Sequence, residues 1–326
     1  MMARKIALCS IPAAGFALVS VLWLIVLLSV IAMGLSYTSR QSTQAMISLV
    51  GGTQARYLAE GGVQLVIMNL LSRDATQRLL ADGETIDVEL PGGHVEVTVS
   101  DENGKVDINA AREPLLARLF YSLDVEQEIA DALADAIADF RDEDDLTRLN
   151  GAEDTDYLAA GRLEGAKDAP FTSVEELQQV LGMTPEIYRA VLPYVTIYSR
   201  HQGINPEVAS LQVLTAVSDD SPMTLESYIQ QRRMNHRDNL PMPSPPVIDR
   251  QFLSRTRGVT YSLTAAGITE SGQESGMSTT VRLRRGRNRM SIETIDWQPF
   301  IERNDREWAA AEAELVGGEE DEGAQK

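Results

Sequence analysis

The chain has 326 residues, a formal net charge of −19, 44% apolar residues and 24% charged residues. This length allows two domains or one domain with a large insertion, and the composition is that of a globular protein. Phosphates repel a chain this acidic, so we expect no nucleic acid among its partners. The single cysteine excludes an internal disulfide.

An uncharged apolar segment follows a short basic leader at the N-terminus. Residues 16–35 read FALVSVLWLIVLLSVIAMGL, and about twenty helical residues span the ~30 Å apolar core of a bilayer. Arg4 and Lys5 precede the segment, which predicts that the N-terminus stays in the cytoplasm and the rest of the chain crosses the membrane in a single pass. A signal peptide cleaved between Ala32 and Ser36 and an uncut signal anchor are two alternatives.

The Gly15–Phe16 step favours a third interpretation of this segment. A basic leader that ends in glycine, followed by Phe and a long apolar helix, resembles the substrate of a prepilin peptidase. Cleavage would remove residues 1–15, including Cys9, and leave Phe16 as the mature N-terminus and the candidate for N-methylation. Most pilins and pseudopilins carry Glu at the fifth mature position, where this chain has Ser20.

Residues 36–108 are predicted to form an amphipathic helix and the first strands of an α+β domain. Helical spacing of apolar residues continues to about residue 72. Gly51–Gly52 and Gly61–Gly62 interrupt this helix, either as kinks or as points of close approach to a neighbouring element.

Alternating apolar residues predict two strands, at 85–90 and 94–100. The following Asn103–Gly104 predicts a hairpin turn. A calcium loop at Asp101, Asn103 and Asp107 is the alternative, although the distal Glu of an EF-hand is missing.

Residues 109–217 are predicted to form an all-α insertion domain. One helix has an apolar stripe formed by Ile129, Leu133, Ile137 and Phe140. The opposite face is predicted to be solvated, because it carries five acidic side chains: Glu128, Asp131, Asp135, Asp139 and Asp142. Residues 173–199 predict two short helices around Gly182, and their surroundings are too acidic for DNA.

An acidic cluster surrounds the turn at Asn150–Gly151. Flexible, sulfur-free oxygen ligands are what Ca²⁺ prefers, so we interpret the cluster as a candidate calcium site, with a solvated face as the alternative. Arg141 offers an ion-pair partner to the same carboxylates. The candidate metal ligands are Asp142, Asp144, Asp145, Glu153, Asp154 and Asp156.

Residues 218–300 are predicted to contain a linker and the remaining strands of the first domain. The proline-rich NLPMPSPPV marks an extended connection. Beyond it, VTYSLTAAGIT, STTVRLRR and RMSIETIDW alternate and are predicted to join the strands near residue 100 in one sheet. Residues 301–326 form an acidic tail.

Recognisable enzyme motifs are missing from the sequence. The three histidines lie in unrelated segments, and no phosphate loop, zinc spacing or nucleophile elbow is present. We therefore predict that the chain is not an enzyme, although a pair of carboxylates like that of a glycosidase would leave no sequence signature.

The chain resembles the type II secretion system minor pseudopilin K family along nearly its whole length. The resemblance depends on the order and spacing of GFALVSVLWLIVLLS, ARYLAEGGVQL, GKVDINAA, AIADFRDEDD, GAEDTDYLA, APFTSVEELQQVLGM and YVTIYSRHQGINPEVA. It implies an α+β, type IV pilin-like fold, in which a long N-terminal helix packs on an antiparallel sheet, with a large all-α insertion domain. Members of this family lack the Glu that Ser20 replaces, and they bind calcium.

The resemblance also implies a location, the inner membrane with the C-terminal bulk of the chain in the periplasm, and a function. It predicts a minor pseudopilin at the tip of the type II secretion pseudopilus, which initiates pseudopilus assembly with the I and J minor pseudopilins after cleavage by prepilin peptidase. Whether the helical insertion contacts secreted cargo or the outer-membrane channel stays open. The alternatives are a minor pilin of a type IV or DNA-uptake pilus and a membrane-anchored periplasmic binding protein or hydrolase.

Overall fold

The computed structural model describes residues 14–72, 78–256, 258–285 and 290–300. The predicted leader up to residue 13, the basic residues 286–289 and the acidic tail from residue 301 therefore lie outside the described residues. The chain divides into two compact units, Met1–Gln54 and Ala55–Lys326.

The long helix α1 runs from Ala14 to Leu70. Its segment Leu18–Tyr37 is, within the described residues, the one helical stretch that is long and apolar enough to cross a membrane. This agrees with the span predicted from the sequence.

The second unit contains a five-stranded antiparallel sheet in the order β1-β2-β5-β6-β7. Its central pairing joins β2 to β5, so the strands on either side of the helical insertion are direct neighbours. The prediction that the late strands join the early ones in one sheet is confirmed. The strands are β1 (Asp82–Leu90), β2 (Gly93–Asp101), β5 (Thr260–Thr269), β6 (Glu274–Arg285) and β7 (Met290–Phe300).

The C-terminal part of α1 packs on one face of this sheet. Alternate residues of the strands point to that face and meet a helix stripe containing Val63 and Ile67. At Gly62 a Cβ atom would lie 2.5 Å from Val95 Cγ1, so this glycine permits close approach to the sheet. The predicted α+β arrangement of a long helix on an antiparallel sheet is confirmed. The buried core there is Ala59, Val63, Val66, Ile67, Leu70, Ala81, Val95, Val97, Val99, Leu263, Ala265, Met277 and Val281.

The regular elements of the insertion between β2 and β5 are nearly all helices, and the insertion has its own hydrophobic core. Leu133, Ile137 and Phe140 are buried as their spacing predicts, whereas Ile129 is 42% exposed. A short parallel pair, β3 (Val106–Asp107) and β4 (Val195–Thr196), accompanies the helices. The helices are α2 (Glu113–Tyr121), α3 (Gln127–Arg141), α4 (Asp154–Ala159), α5 (Pro185–Val191), α6 (Leu211–Val217) and α7 (Pro222–Arg237).

Helix α7 lies in the segment predicted to be a linker. Its buried face is narrow and consists of Leu225, Tyr228, Ile229 and Arg232, so the apolar period is weak. The start signals are nevertheless present, because the Ser221 side chain accepts a hydrogen bond from the Thr224 amide and a proline occupies the first turn.

The predicted hairpin at Asn103–Gly104 is wrong. Residues 102–104 form a 3₁₀ turn that directly follows β2. The Asp101 carboxylate caps this turn by accepting a hydrogen bond from the Asn103 amide at 2.9 Å. A Cβ atom on Gly104 would lie 2.6 Å from the Val208 carbonyl oxygen. This glycine therefore serves the packing of two main-chain segments.

The calcium-loop alternative at the same place is not supported by the geometry. Burial, opposed by hydrogen bonds from Asn103, raises the pKa of Asp101 to about 6. The Asp107 carboxylate accepts hydrogen bonds from the amides of Asn109 and Arg200, at 2.8 and 2.6 Å. Both carboxylates are thus committed to protein donors.

The two predicted helices around Gly182 are shorter than expected. The first is a 3₁₀ segment, Val174–Gln179, and the second is α5. Gly182 adopts a φ of 88°, which favours glycine, and the Thr184 side chain caps α5 by accepting a hydrogen bond from the Ile187 amide.

A buried ion pair joins α7 to the start of β1. The Arg232 guanidinium donates to the Asp82 carboxylate at 3.0 Å, and both side chains are completely buried. Arg232 also donates to the Pro206 carbonyl at 2.8 Å, and the half-buried Arg233 contacts the same carboxylate at 2.9 Å. The helical insertion is therefore tied to the sheet by charge as well as by chain connectivity.

Candidate functional site

The predicted processing step lies at the beginning of α1. The backbone of Gly15 and Phe16 is helical, because α1 begins at Ala14, and Ser20 is an exposed residue of the same helix. Cleavage after Gly15 and methylation of the Phe16 amine stay predictions, since they concern processing of the chain.

The acidic cluster lies where α3 ends and α4 begins, and Arg148 is its main counter-charge. Arg148 Nη1 lies 2.5 Å from Asp139 Oδ1 and 2.6 Å from Asp142 Oδ2. Its Nε lies 2.9 Å from Glu113 Oε1. The prediction that Asp139 is solvated is wrong, because this ion pair allows its carboxylate to be buried.

Arg141 was predicted to pair with the carboxylates of the cluster, but among the residues that the structure describes it forms no ion pair with them. Its guanidinium donates to the main-chain carbonyls of Ile108 and Ala111, the second at 2.6 Å. It thereby fastens the C-terminal end of α3 to the segment that precedes α2.

Two carboxylate oxygens in the cluster are buried and have no hydrogen-bond partner: Asp142 Oδ1 and Glu153 Oε1. Burial, reinforced by the negative charges of Asp139, Asp142 and Asp168, raises the pKa of Glu153 to about 7. Because orphaned buried oxygens are costly, this pair is the place in the cluster where a cation would be most favourable.

The other four predicted ligands are arranged differently. Asp144 accepts a hydrogen bond from the Leu146 amide at 3.0 Å, and Asp154 accepts one from the Ala166 amide at 3.0 Å. Asp156 accepts one from the Glu153 amide at 3.1 Å, within the first turn of α4. The remaining residue, Asp145, is exposed.

The sequence-based candidate set missed Asp168. Burial and the carboxylates of Asp154, Asp145 and Asp142 raise its pKa, so it belongs to the same negative field. Its φ of 53° is unusual for a residue other than glycine. Asp168 follows the cluster in sequence after a long loop, so its spacing from the other acidic residues gives no indication that it belongs with them. The fold brings it close to the cluster.

The arrangement of the acidic cluster meets only some of the requirements of a metal site. The donors are all oxygens, and two of them are buried and unpartnered, which suits a hard cation such as Ca²⁺. Within the residues that the structure describes, however, no three Asp, Glu, His or Cys side chains are arranged to hold a metal ion. A complete calcium site would need carboxylates to turn away from their present donors.

Residues 95–200 match the family model described as type II secretion system, protein K. A type II secretion system protein K from Pseudomonas aeruginosa is 26% identical over 241 residues, which cover 67% of this chain and 72% of that protein. The Klebsiella pneumoniae protein of the same name is 29% identical over 205 residues, which cover 56% and 61%.

Among solved structures, the chain is similar to one described as the GspK-GspI-GspJ complex of the enterotoxigenic Escherichia coli type 2 secretion system. The TM-score is 0.49 at 20% identity, and the match covers 81% of this chain and 99% of the solved chain. The curated relatives are components of a secretion system, and the absence of enzymatic activity stays a prediction. The chain is therefore similar to type II secretion system protein K, both over residues 95–200 and over more than half of its length.

Proposed function

We propose that the chain is a minor pseudopilin at the tip of a type II secretion pseudopilus, where it initiates assembly and supports protein export across the outer membrane. One observation carries the proposal: residues 95–200 match the protein K family model. They run from the sheet into the helical insertion, so the match includes the part that distinguishes this chain from a simple pilin-like domain. The N-terminal apolar segment supports anchoring in the inner membrane.

The position at the tip has a physical rationale in Ser20. A carboxylate within a bilayer is costly unless it has a partner, and the Glu of ordinary pilins is thought to pair with the amine of a neighbouring subunit. A tip subunit has no subunit above it to supply that amine. Ser20 therefore loses nothing at the tip and avoids a buried charge. The bulky helical insertion also suits a position on which nothing stacks.

The proposed partners follow from this position. The I and J minor pseudopilins would be the immediate neighbours, and prepilin peptidase would process the leader. The periplasmic bulk would place the helical insertion where it meets secreted cargo or the outer-membrane channel. The match to protein K relatives favours this assignment over a minor pilin of a type IV or DNA-uptake pilus.

The proposal predicts that the leader is removed after Gly15. Mass spectrometry of the N-terminal peptide, taken from membrane-extracted protein, tests this prediction. We expect a peptide that begins at Phe16, with or without one methyl group. Gly15→Leu should leave the leader attached, because the peptidase recognises the glycine at the cleavage site. Ala32→Leu should not change the mass of the N-terminal peptide. A peptide that begins after residue 35, and that only Ala32→Leu affects, would instead identify a discarded signal peptide.

We also propose that the acidic cluster binds Ca²⁺. Asp142 and Glu153 would supply the oxygens that now lack partners. Bound Ca²⁺ would neutralise the negative field that raises the Glu153 pKa and would join the end of α3 to the start of α4. The remaining ligands would come from Asp144, Asp145, Asp154, Asp156 and Asp168.

Calcium should therefore raise the melting temperature of the detergent-solubilised chain. A ligand at a hundred times its Kd stabilises by about 2.7 kcal/mol, which corresponds to roughly 5–10 °C for a domain of this size. Asp142→Asn/Glu153→Gln should abolish the shift, and Glu270→Gln, at an exposed position in the turn between β5 and β6, should preserve it. Identical melting curves in millimolar calcium and in chelator would rule out a structural calcium site.

A further inference from the structure

Two open depressions lie side by side on the helical insertion and share the Arg118–Asp219 ion pair. The first, of about 580 Å³, lies between the end of α2, the turn before α3 and the end of α6. The second, of about 650 Å³, lies between α2, α3 and the segment 247–252. Because both are lined by Arg118 and Asp219, we treat the two adjoining depressions together and call them the α2 groove.

Apolar side chains line both halves of the α2 groove. Tyr121 and Val125 line the first depression, and Val217, Val247 and Phe252 line the second. Val247 is 82% exposed and Tyr121 is 63% exposed, although both are large apolar residues. Burying apolar surface contributes about 25 cal/mol of favourable free energy per Å². An apolar side chain that binds in the groove would therefore be held there by the hydrophobic effect.

The rim of the α2 groove is strongly acidic. Its lining includes one cation among the described residues, Arg118, which lies over the Phe252 ring at 5.6 Å and contacts Asp219 Oδ1 at 3.0 Å. The Asp219 side chain is 91% exposed, so most of its surface is open to another cation. The lining carboxylates are those of Asp124, Glu126, Asp131, Asp219 and Asp249.

We propose that the α2 groove is the docking surface for a segment of a protein partner in which a lysine or arginine is flanked by apolar side chains. The apolar side chains would fill the two depressions, and the cation would face Asp131 and Asp219. Excess negative charge would speed the encounter with such a segment and would reject acidic ones. The inference does not rest on the proposed function, because it depends only on the apolar and acidic lining of the α2 groove.

A labelled peptide of sequence SGVLKVGS provides the probe, with SGVLEVGS as its charge-reversed counterpart. Fluorescence anisotropy with the full detergent-solubilised chain should show saturable binding of the lysine peptide, weakened by salt, and no saturable binding of the glutamate peptide. Asp131→Asn/Asp219→Asn should weaken binding about tenfold, the size expected from two exposed charge pairs. Val247→Ser should weaken it about threefold, because it removes exposed apolar surface.

The matched control is Glu207→Gln/Glu270→Gln, which removes the same net charge from exposed positions outside the groove. This control should bind the lysine peptide as the unmodified chain does, and all variants should melt at the same temperature. Equal weakening in both double variants, or equal binding of both peptides, would overturn the proposal. Self-association that Asp131→Asn/Asp219→Asn abolishes would overturn it too, because the occupant would then be a second copy of this chain.

Discussion

Asp82→Asn is expected to lower the free energy of unfolding by about 3–5 kcal/mol, the usual cost of leaving a buried charge without its partner. Arg232 is completely buried, and Asp82 is the carboxylate that it contacts. The Pro206 carbonyl and the Tyr228 ring remain beside the guanidinium in this variant, but neither carries a compensating charge. The half-buried Arg233 would add repulsion, because it contacts the same carboxylate.

Urea unfolding of the solubilised chain, followed by circular dichroism, measures this effect. Arg233→Met is the matched control, and we expect it to cost only about 1 kcal/mol, because it removes a partly exposed partner. Asp82→Leu/Arg232→Met should recover much of the loss, since it removes both buried charges. A cost for Asp82→Asn as small as that for Arg233→Met would show that the pair does not tie the insertion to the sheet.

Gly267→Ala is expected to destabilise the chain by about 3 kcal/mol, at the upper end of overpacking effects. Gly267 lies in β5 opposite Val95 of β2, where α1 crosses the sheet. A Cβ atom there would lie 2.0 Å from the Ala55 carbonyl oxygen and 2.7 Å from the Ala59 amide nitrogen. These are main-chain atoms, so a change of side-chain rotamer cannot relieve the clash and the helix must move.

Gly272→Ala, at the turn between β5 and β6, separates this clash from the general cost of replacing a glycine. Its φ is 81° and a Cβ atom there would meet nothing within 4 Å, so we expect about 1 kcal/mol of backbone strain alone. The same urea titration measures both variants. Equal costs for the two would mean that α1 does not press against β5 at Gly267.

Local patterns in the sequence predicted the sheet well. In β2, Val95, Val97 and Val99 alternate towards the core, and this period distinguishes a half-buried strand from a helix. The uninterrupted apolar run at residues 16–35 was an equally clear signal of a helix long enough to span a membrane. The α+β class and the split by a helical insertion followed from these signals and from the family resemblance.

Features that depend on distant residues escaped prediction. Asn103–Gly104 resembles a hairpin turn, but residues 102–104 form a 3₁₀ turn in which Gly104 lies close to the Val208 carbonyl. Asp139 was expected on a solvated face and is buried because Arg148 returns to it. Helix α7 was missed because its buried face includes Arg232, whose partner Asp82 lies 150 residues away.

The acidic cluster shows the same limit at the candidate metal site. Sequence proximity grouped six acids, but four of them are exposed or bound to nearby amides. The structure identifies Asp142 and Glu153 as the best candidate ligands, because each has a buried oxygen without a hydrogen-bond partner. It also shows that the charge of Asp168 acts on Glu153. Composition can thus indicate a cation-binding region, whereas the choice of ligands requires the fold.

The most direct test of the proposed function is to identify the proteins that co-purify with the chain from the membrane. The chain would be expressed with the I and J minor pseudopilins and the prepilin peptidase of the same secretion system, captured through a C-terminal tag and weighed by native mass spectrometry. We predict one assembly that contains one copy each of this chain, I and J. A chain recovered alone, or joined only to further copies of itself, would contradict the proposal that it is a tip pseudopilin.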